Sequence, residues 1–220
     1  MRFILFVFFS FLFFSCELIS ESNSIKGIAL GTQFNIKHDA RLDNSTLKMD
    51  IDSILKKINK SMSTYHSDSD ISKINSGQEV QVDSFFQEVY YKASEVWKST
   101  NGAFDPTVGA LVNAYGFGPD QKFSYELSDI QLDSLLNITG WNKIYLNDKG
   151  VLTKSNKNIT LDFSALAKGY TVDIISKHLE SIGSKNYLVE IGGEIIAKGL
   201  SPRSNKPWEI GIDYPKSKLS

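Results

Sequence analysis

Apolar residues recur at helical spacing in three stretches of the chain. Leu47, Ile51, Ile54, Leu55, Ile58 and Met62 fall three or four apart, with Asp43, Asn44 and Ser45 ahead of them as caps, which predicts a helix of about four turns. Phe86, Val89, Tyr90, Ala93, Val96 and Trp97 follow Asp83 and Ser84 in the same rhythm and stop near Gly102, a second long helix. A third runs from about Ala165 to Ile182, with Gly183 as its stop. Ser128 followed by Gln131 is a capping-box pattern for a short helix through Leu136, which Gly140 ends.

Between these lie strand patterns. Residues 142–146 and 151–153, separated by Asn147, Asp148, Lys149 and Gly150, read as a hairpin. Residues 159–163, 187–191 and 195–198, and the alternating Trp208, Ile210, Ile212 and Tyr214, read as further strands. Helices and hairpin-linked strands mix without a βαβ rhythm. The fold class predicted is therefore α+β, with mixed or antiparallel sheets packed against helices, rather than a doubly wound sheet.

The N-terminus differs in kind. MRFILFVFFSFLFFSC sets Arg2 ahead of an almost unbroken apolar run and closes with Ser15 directly before Cys16. That is the pattern of an export signal over residues 1–15; at about thirteen apolar residues the run falls short of the roughly 20 that span a bilayer. Leu12, Ser15 and Cys16 resemble a bacterial lipobox, which makes Cys16 the expected lipidation site and residues 16–24 a short tether. The expected location is a membrane lipid anchor on the periplasmic or extracytoplasmic side. With Cys16 acylated, no cysteine remains for a disulfide, so the core must supply the stability.

Composition adds exclusions. Lys and Arg number 24 against 25 Asp and Glu, so no basic field suggests a nucleic-acid partner. His38, His66 and His178 stand in no metal-ligand spacing and are expected on the surface or in the core; any metal should be a hard, oxygen-ligated ion. No Walker loop and no GxGxxG occurs.

Three segments could carry chemistry. In the loop Gly102 to Gly109, Pro106 holds Asp105 extended, either as a carboxylate placed to accept hydrogen bonds from a ligand or as a turn between two elements. At Leu161 to Gly169 a strand pattern hands over to a helix, so free amides and Asp162 meet Lys168 one turn in: an anion site, or a helix cap beside a solvated charge. Gly192 and Gly193, flanked by Glu190 and Glu194, fit a bulge packed against a bound group or a tight hairpin turn.

Taken together, Gly31-Thr32, Ser63-Thr64-Tyr65, the run Ser69-Asp70-Ile71-Ser72-Lys73-Ile74-Asn75, Gly102-Ala103-Phe104-Asp105-Pro106-Thr107, Gly116-Phe117-Gly118, Leu161-Asp162 through Lys168-Gly169-Tyr170, and Ile191-Gly192-Gly193 resemble, in order, the ApbE family of FAD:protein FMN transferases. The resemblance implies a T-fold-like architecture over residues 25–220. It also implies an enzyme that uses FAD and Mg2+ to transfer FMN to a threonine or serine of exported flavoproteins, such as periplasm-facing redox-pump subunits, releasing AMP. On matching positions, Leu30, Tyr65, Ala103, Phe104, Asp105, Asp162 and Lys168 would contact FAD, and the backbone carbonyl of Ala165 would be a magnesium ligand. Leu30 stands where the family usually has methionine. The family's histidine-containing segment and its Asp and Thr metal block, which follow the last strand, have no counterpart in this sequence, so a fragment or a natural truncation is expected and no catalytic residue is assigned. FAD hydrolysis to FMN and AMP, or flavin binding without catalysis, are the alternative activities.

Overall fold

The computed structural model describes residues 23–119 and 126–212. The export signal, Cys16, most of the tether and Tyr214 lie outside the described residues.

The first elements are β1 (Asn23–Ala29) and β2 (Thr32–His38), joined by a two-residue turn at Leu30 and Gly31, both with positive φ. Turns of this kind match the twist of a hairpin. Helix α1 (Asn44–Met62) is capped by the Asp43 carboxylate, which accepts from the amides of Ser45 and Thr46. Helix α2 (Asp70–Asn75) is capped by Ser69, and α3 (Ser84–Ser99) by Asp83. Next come α4 (Gly109–Ala114) and α5 (Asp129–Asn137), the latter with the predicted Ser128–Gln131 capping box formed in both directions. A 3₁₀ turn (Trp141–Lys143) leads into the hairpin β3 (Ile144–Leu146) and β4 (Leu152–Lys154). The long helix α6 (Ser164–Ser181) precedes β5 (Tyr187–Ile191) and β6 (Glu194–Lys198).

The fold is α+β. The larger sheet has the order β1-β2-β5-β6, antiparallel throughout, with Ile36 opposite Val189 where N-terminal and C-terminal strands meet. Its inner face, including Phe34, Ile36, Val189 and Ile191, is covered by Leu47, Ile51 and Leu55 of α1 and Val172, Ile175 and Leu179 of α6. A second core gathers the far end of α1 with α2, α3, the β3–β4 hairpin and residues 159–163. Leu30 and Ile54 pack against both cores.

Two predicted strands are corrected. Residues 159–163 form no strand; their backbone is engaged by side chains and loops, as described below. Residues 208–212 form none either: only Leu200 bridges to Pro207, Ile212 is 93 % exposed, and the alternation of Trp208, Ile210 and Ile212 meets no strand edge among the described residues. The β1–β2 hairpin and helices α2 and α4 go beyond the elements predicted from periodicity. The two helices are each six residues long, less than two turns, too short to show a period.

Candidate functional site

The wall nearest α1 is the loop of residues 63–69, tied down at both ends. Ser69 Oγ and Ser72 Oγ donate to the Ser63 carbonyl at 2.6 and 3.2 Å, and the Ser69 amide donates to the His66 carbonyl at 3.0 Å. Lys60 Nζ reaches over from α1 to the Asp68 carbonyl and the Asp70 carboxylate, at 3.1 and 2.7 Å. The Ser-rich motif is thus a set of short donors that closes a loop and leaves Thr64, Tyr65 and His66 on its outer side. Tyr65, 66 % exposed, donates from its hydroxyl to the Phe117 carbonyl at 3.3 Å.

Residues 159–163 form the floor. Asn75, the last residue of α2, pairs with both backbone groups of Leu161: its Nδ2 donates to the Leu161 carbonyl at 2.9 Å and its Oδ1 accepts from the Leu161 amide at 2.8 Å. Lys154 Nζ donates to the carbonyls of Ile159 and Ile74, both at 2.9 Å, and burial pulls its ammonium below the usual lysine range. The Gly109 amide donates to the Thr160 carbonyl at 3.0 Å, and the Asp162 amide to the Pro106 carbonyl at 2.8 Å. An apolar run of this kind is buried as a strand would be, but its hydrogen bonds come from side chains and loops, which periodicity cannot distinguish. Gly109 permits the approach, since a Cβ there would lie 2.7 Å from the Thr160 carbonyl oxygen.

Asp162 is not the cap of α6, whose N-cap is Phe163 without a side-chain bond; it stands one residue earlier, its Oδ1 accepting from the Ser164 amide at 2.7 Å. Asp162 also lines a cavity. Asp105 is held differently. Its Oδ1 accepts from the amide and hydroxyl of Thr107 at 2.9 and 2.6 Å, and its Oδ2 from the Trp141 amide at 2.8 Å. The carboxylate latches the 102–109 loop to the 3₁₀ turn. Phe104 is half-buried against the second core and Ala103 is exposed.

The opposite rim is made by two hairpin turns side by side. Gly192 and Gly193 turn β5 into β6 with φ of 54° and 91°, so the tight hairpin forms. The Gly192 amide donates to the Gln33 carbonyl at 3.1 Å, which sets this turn against the Leu30–Gly31 turn. A Cβ at Gly192 would fall 2.6 Å from Thr32 Cγ2. Lys168, on the first turns of α6, lies against this rim.

A cavity of about 610 Å³ lies between the Leu30–Gly31 turn, the end of α1 with the 63–66 loop, and the start of α6, lined by Leu30, Met62, Tyr65, His66, Ser164 and Lys168, among others. A second, of about 330 Å³, lies against Asn75, Gly109, Thr160 and Asp162, and Thr64 borders both. Leu30, Tyr65 and Lys168 are therefore brought to the larger cavity and Asp162 to the smaller one beside it, while Ala103, Phe104, Asp105 and Ala165 line neither. Ala165 follows Ser164 in the exposed first turn of α6. Periodicity did not single out His66, yet it lines the larger cavity; its one sequence signal is its place beside Tyr65.

Among the described residues lining the larger cavity none is a carboxylate, and Lys168 and the positive end of α6 favour an anion there. Apolar Leu30 and Met62 with the Tyr65 ring suit a flat aromatic group. No cluster of three His, Cys, Asp or Glu occurs among the described residues. The hard oxygens present, the Asp162 carboxylate and the Ala165 carbonyl, fit magnesium only as it binds with waters and ligand phosphates, not as a protein cage.

Comparison with known proteins gives the following. Residues 30–220 match the ApbE family. The chain is similar to the FAD:protein FMN transferase of Vibrio cholerae, 37% identical over 206 residues, and to that of Haemophilus influenzae, 35% identical over 212; each alignment covers 91% of this chain and 61% of the relative. It thus spans about three fifths of the length of these curated relatives. Among solved structures, the flavin transferase ApbE of Vibrio cholerae superposes with a TM-score of 0.83 at 37% identity, covering 89% of this chain and 64% of that one. The apo flavinyl transferase ApbE of Pseudomonas stutzeri gives 0.80 at 29% identity, covering 87% and 65%.

Proposed function

This chain belongs to the ApbE family, and from that premise we propose that it carries the flavin-binding part of an enzyme that moves FMN from FAD onto a threonine or serine hydroxyl of an exported flavoprotein, releasing AMP. The observation that carries the reading is the convergence of three separate segments on two cavities that meet at Thr64: Leu30, Tyr65 and Lys168 line the larger and Asp162, from the same segment as Lys168, lines the smaller.

In the reaction, the bond between the FMN phosphorus and the oxygen bridging to AMP breaks. A bond from the same phosphorus to the acceptor oxygen forms, and the hydroxyl proton is released. Little covalent work falls to the protein in such a transfer, which depends on holding the reacting groups in line and neutralising phosphate charge. Tyr65 and Leu30 border the flavin ring, and Lys168 and the start of α6 attract the diphosphate. Asp162, bonded to the Ser164 amide, supports the turn into α6 while facing the smaller cavity. Magnesium is part of the proposal: held through the Ala165 carbonyl and the ligand's own phosphates, it would offset the charge that builds on the phosphoryl oxygens.

The same proposal places the protein outside the cytoplasm, lipid-anchored through Cys16. What supports this is the apolar run of residues 3–14 followed by Ser15 and Cys16. Acceptors would then be exported flavoproteins such as periplasm-facing redox-pump subunits.

The test is to incubate the protein with FAD, magnesium and a small acceptor domain carrying a threonine flavinylation motif, and to read the acceptor's mass. A gain of one FMN less water is expected. AMP and free FMN formed at the same rate without acceptor would assign hydrolysis instead, an unmodified acceptor with FAD bound would assign flavin binding without catalysis, and failure to bind FAD would overturn the reading for this chain.

A further inference from the structure

Lys168 stands in the wall of the larger cavity, but its ammonium is turned to the rim. Nζ lies 3.5 Å from the Gly192 carbonyl oxygen and 3.6 Å from Glu194 Oε1. Glu194 is the first residue of β6, and the two-glycine turn before it fixes its approach, with the Gly193 amide donating to Glu190 Oε1 at 2.9 Å. Glu190 is thereby engaged in its own turn, which leaves Glu194 as the carboxylate facing Lys168. Glu194 does not line the cavity. The two side chains are 35% and 51% exposed and the contact exceeds a hydrogen bond, so the pair is weak and easily exchanged.

We propose that Glu194 is a positioning residue, an internal counter-anion that holds Lys168 at the rim in the unliganded protein and is displaced when a ligand phosphate enters. The inference rests on the flavin-binding reading above. Two consequences follow from the charges. Glu194 competes with the ligand's phosphates for one ammonium, and its own charge repels an entering anion. It therefore lowers affinity for FAD, and for a departing anionic product, without touching a neutral flavin. The cavity would otherwise carry an uncompensated cation that retains any phosphate-bearing product.

The experiment is a fluorescence titration of FAD and of neutral riboflavin at low salt, on the wild-type protein, Glu194→Gln, Lys168→Met and the double variant. Glu194→Gln should bind FAD about three- to fivefold tighter, the range open to an exposed pair, and the gain should shrink as salt is raised. Riboflavin affinity should be the same in wild type and Glu194→Gln, and the gain should vanish in the Lys168→Met background. A purely structural Glu194 would alter both flavins alike. Unchanged or weaker FAD binding in Glu194→Gln, or a gain that survives Lys168→Met, overturns the inference while leaving the flavin site intact. Failure of the wild-type protein to bind FAD overturns the underlying reading, and this inference with it.

Discussion

Asn75 and Leu161 are joined as neighbouring strands are, although one partner is a side chain: the Asn75 amide group bonds both the carbonyl and the amide of Leu161, 86 residues away. Leu161 is fully buried, so neither backbone group has water to turn to. Replacing Asn75 by Ala should cost about 2–4 kcal/mol, the penalty for two unsatisfied buried groups. For a domain of this size that lowers Tm by roughly 5–15 °C, readable by thermal or urea unfolding. A shift under about 1 °C would mean that the floor of the cleft does not depend on this clasp.

Gly192 brings the two rim turns together. Gly192→Ala should destabilise by about 1–3 kcal/mol, from the left-handed backbone and from the contact 2.6 Å away at Thr32 Cγ2. Gly193→Ala, with nothing within 4 Å of its Cβ, should cost only the backbone part. Thr32→Ser, which removes Cγ2, should recover part of the Gly192→Ala loss and none of the Gly193→Ala loss. Equal losses at the two glycines would count against the close approach.

His38 and Asp39 should both contribute to the acid response of the sheet. His38 is buried, its Nε2 meets Asn44 Oδ1 at 3.1 Å, and its Nδ1 has no hydrogen-bond partner among the described residues. Burial lowers its pKa below 6.5 despite the Asn44 hydrogen bond and the nearby Asp39 charge. Because the unfolded chain then binds the proton more readily, this contribution to stability is full above about pH 6.5 and falls as pH drops from there through the folded value. His38→Gln should flatten the urea-unfolding profile between pH 7 and about 5. An unchanged slope there would show that His38 titrates normally in the fold.

The Asp39 carboxylate is pushed up by burial, but bonds from Ser184, Asn186 and Lys185 outweigh this and hold it below the usual range. Its contribution is present above the unfolded pKa near 3.8 and is lost as pH falls through the lower folded value. Asp39→Asn should be less stable than wild type at pH 7, with the difference shrinking as pH falls through the lowered folded value. Parallel curves would exclude Asp39 as an acid-sensitive tie between β2 and β5.

Tyr65 is judged by its ring rather than its hydroxyl. The Tyr65–Phe117 hydrogen bond is long and exposed, so Tyr65→Phe should leave FAD affinity nearly unchanged. Tyr65→Ala should weaken it about tenfold, within the range of ring–base stacking, and should weaken riboflavin to the same degree. Loss with Phe equal to that with Ala would move the contribution to the Phe117 segment.

The long helices were legible because their caps and periods are local: Asp43, Asp83 and the Ser128–Gln131 box lie within one turn of what they cap. The β1–β2 hairpin, with its turn at Leu30 rather than at an Asn-Gly pair, gave no such signal. The motif residues themselves were legible by resemblance. Which of them reach the cavities was not, since Asp105 is bonded to Thr107 and Trp141 away from both, while Asn75 borders the smaller one and holds Leu161.

The sequence by itself determined the α+β class, the principal helices with their caps, and the resemblance to the ApbE family, because all of these are written in short-range order or in motif order. Only the tertiary structure decided that residues 159–163 are not a strand, that α1 and α6 bind two cores together, and which side chains face the cleft. Those outcomes depend on backbone groups finding partners many residues away, and a buried apolar run has the same one-dimensional pattern whether a neighbouring strand or the amide of Asn75 satisfies it.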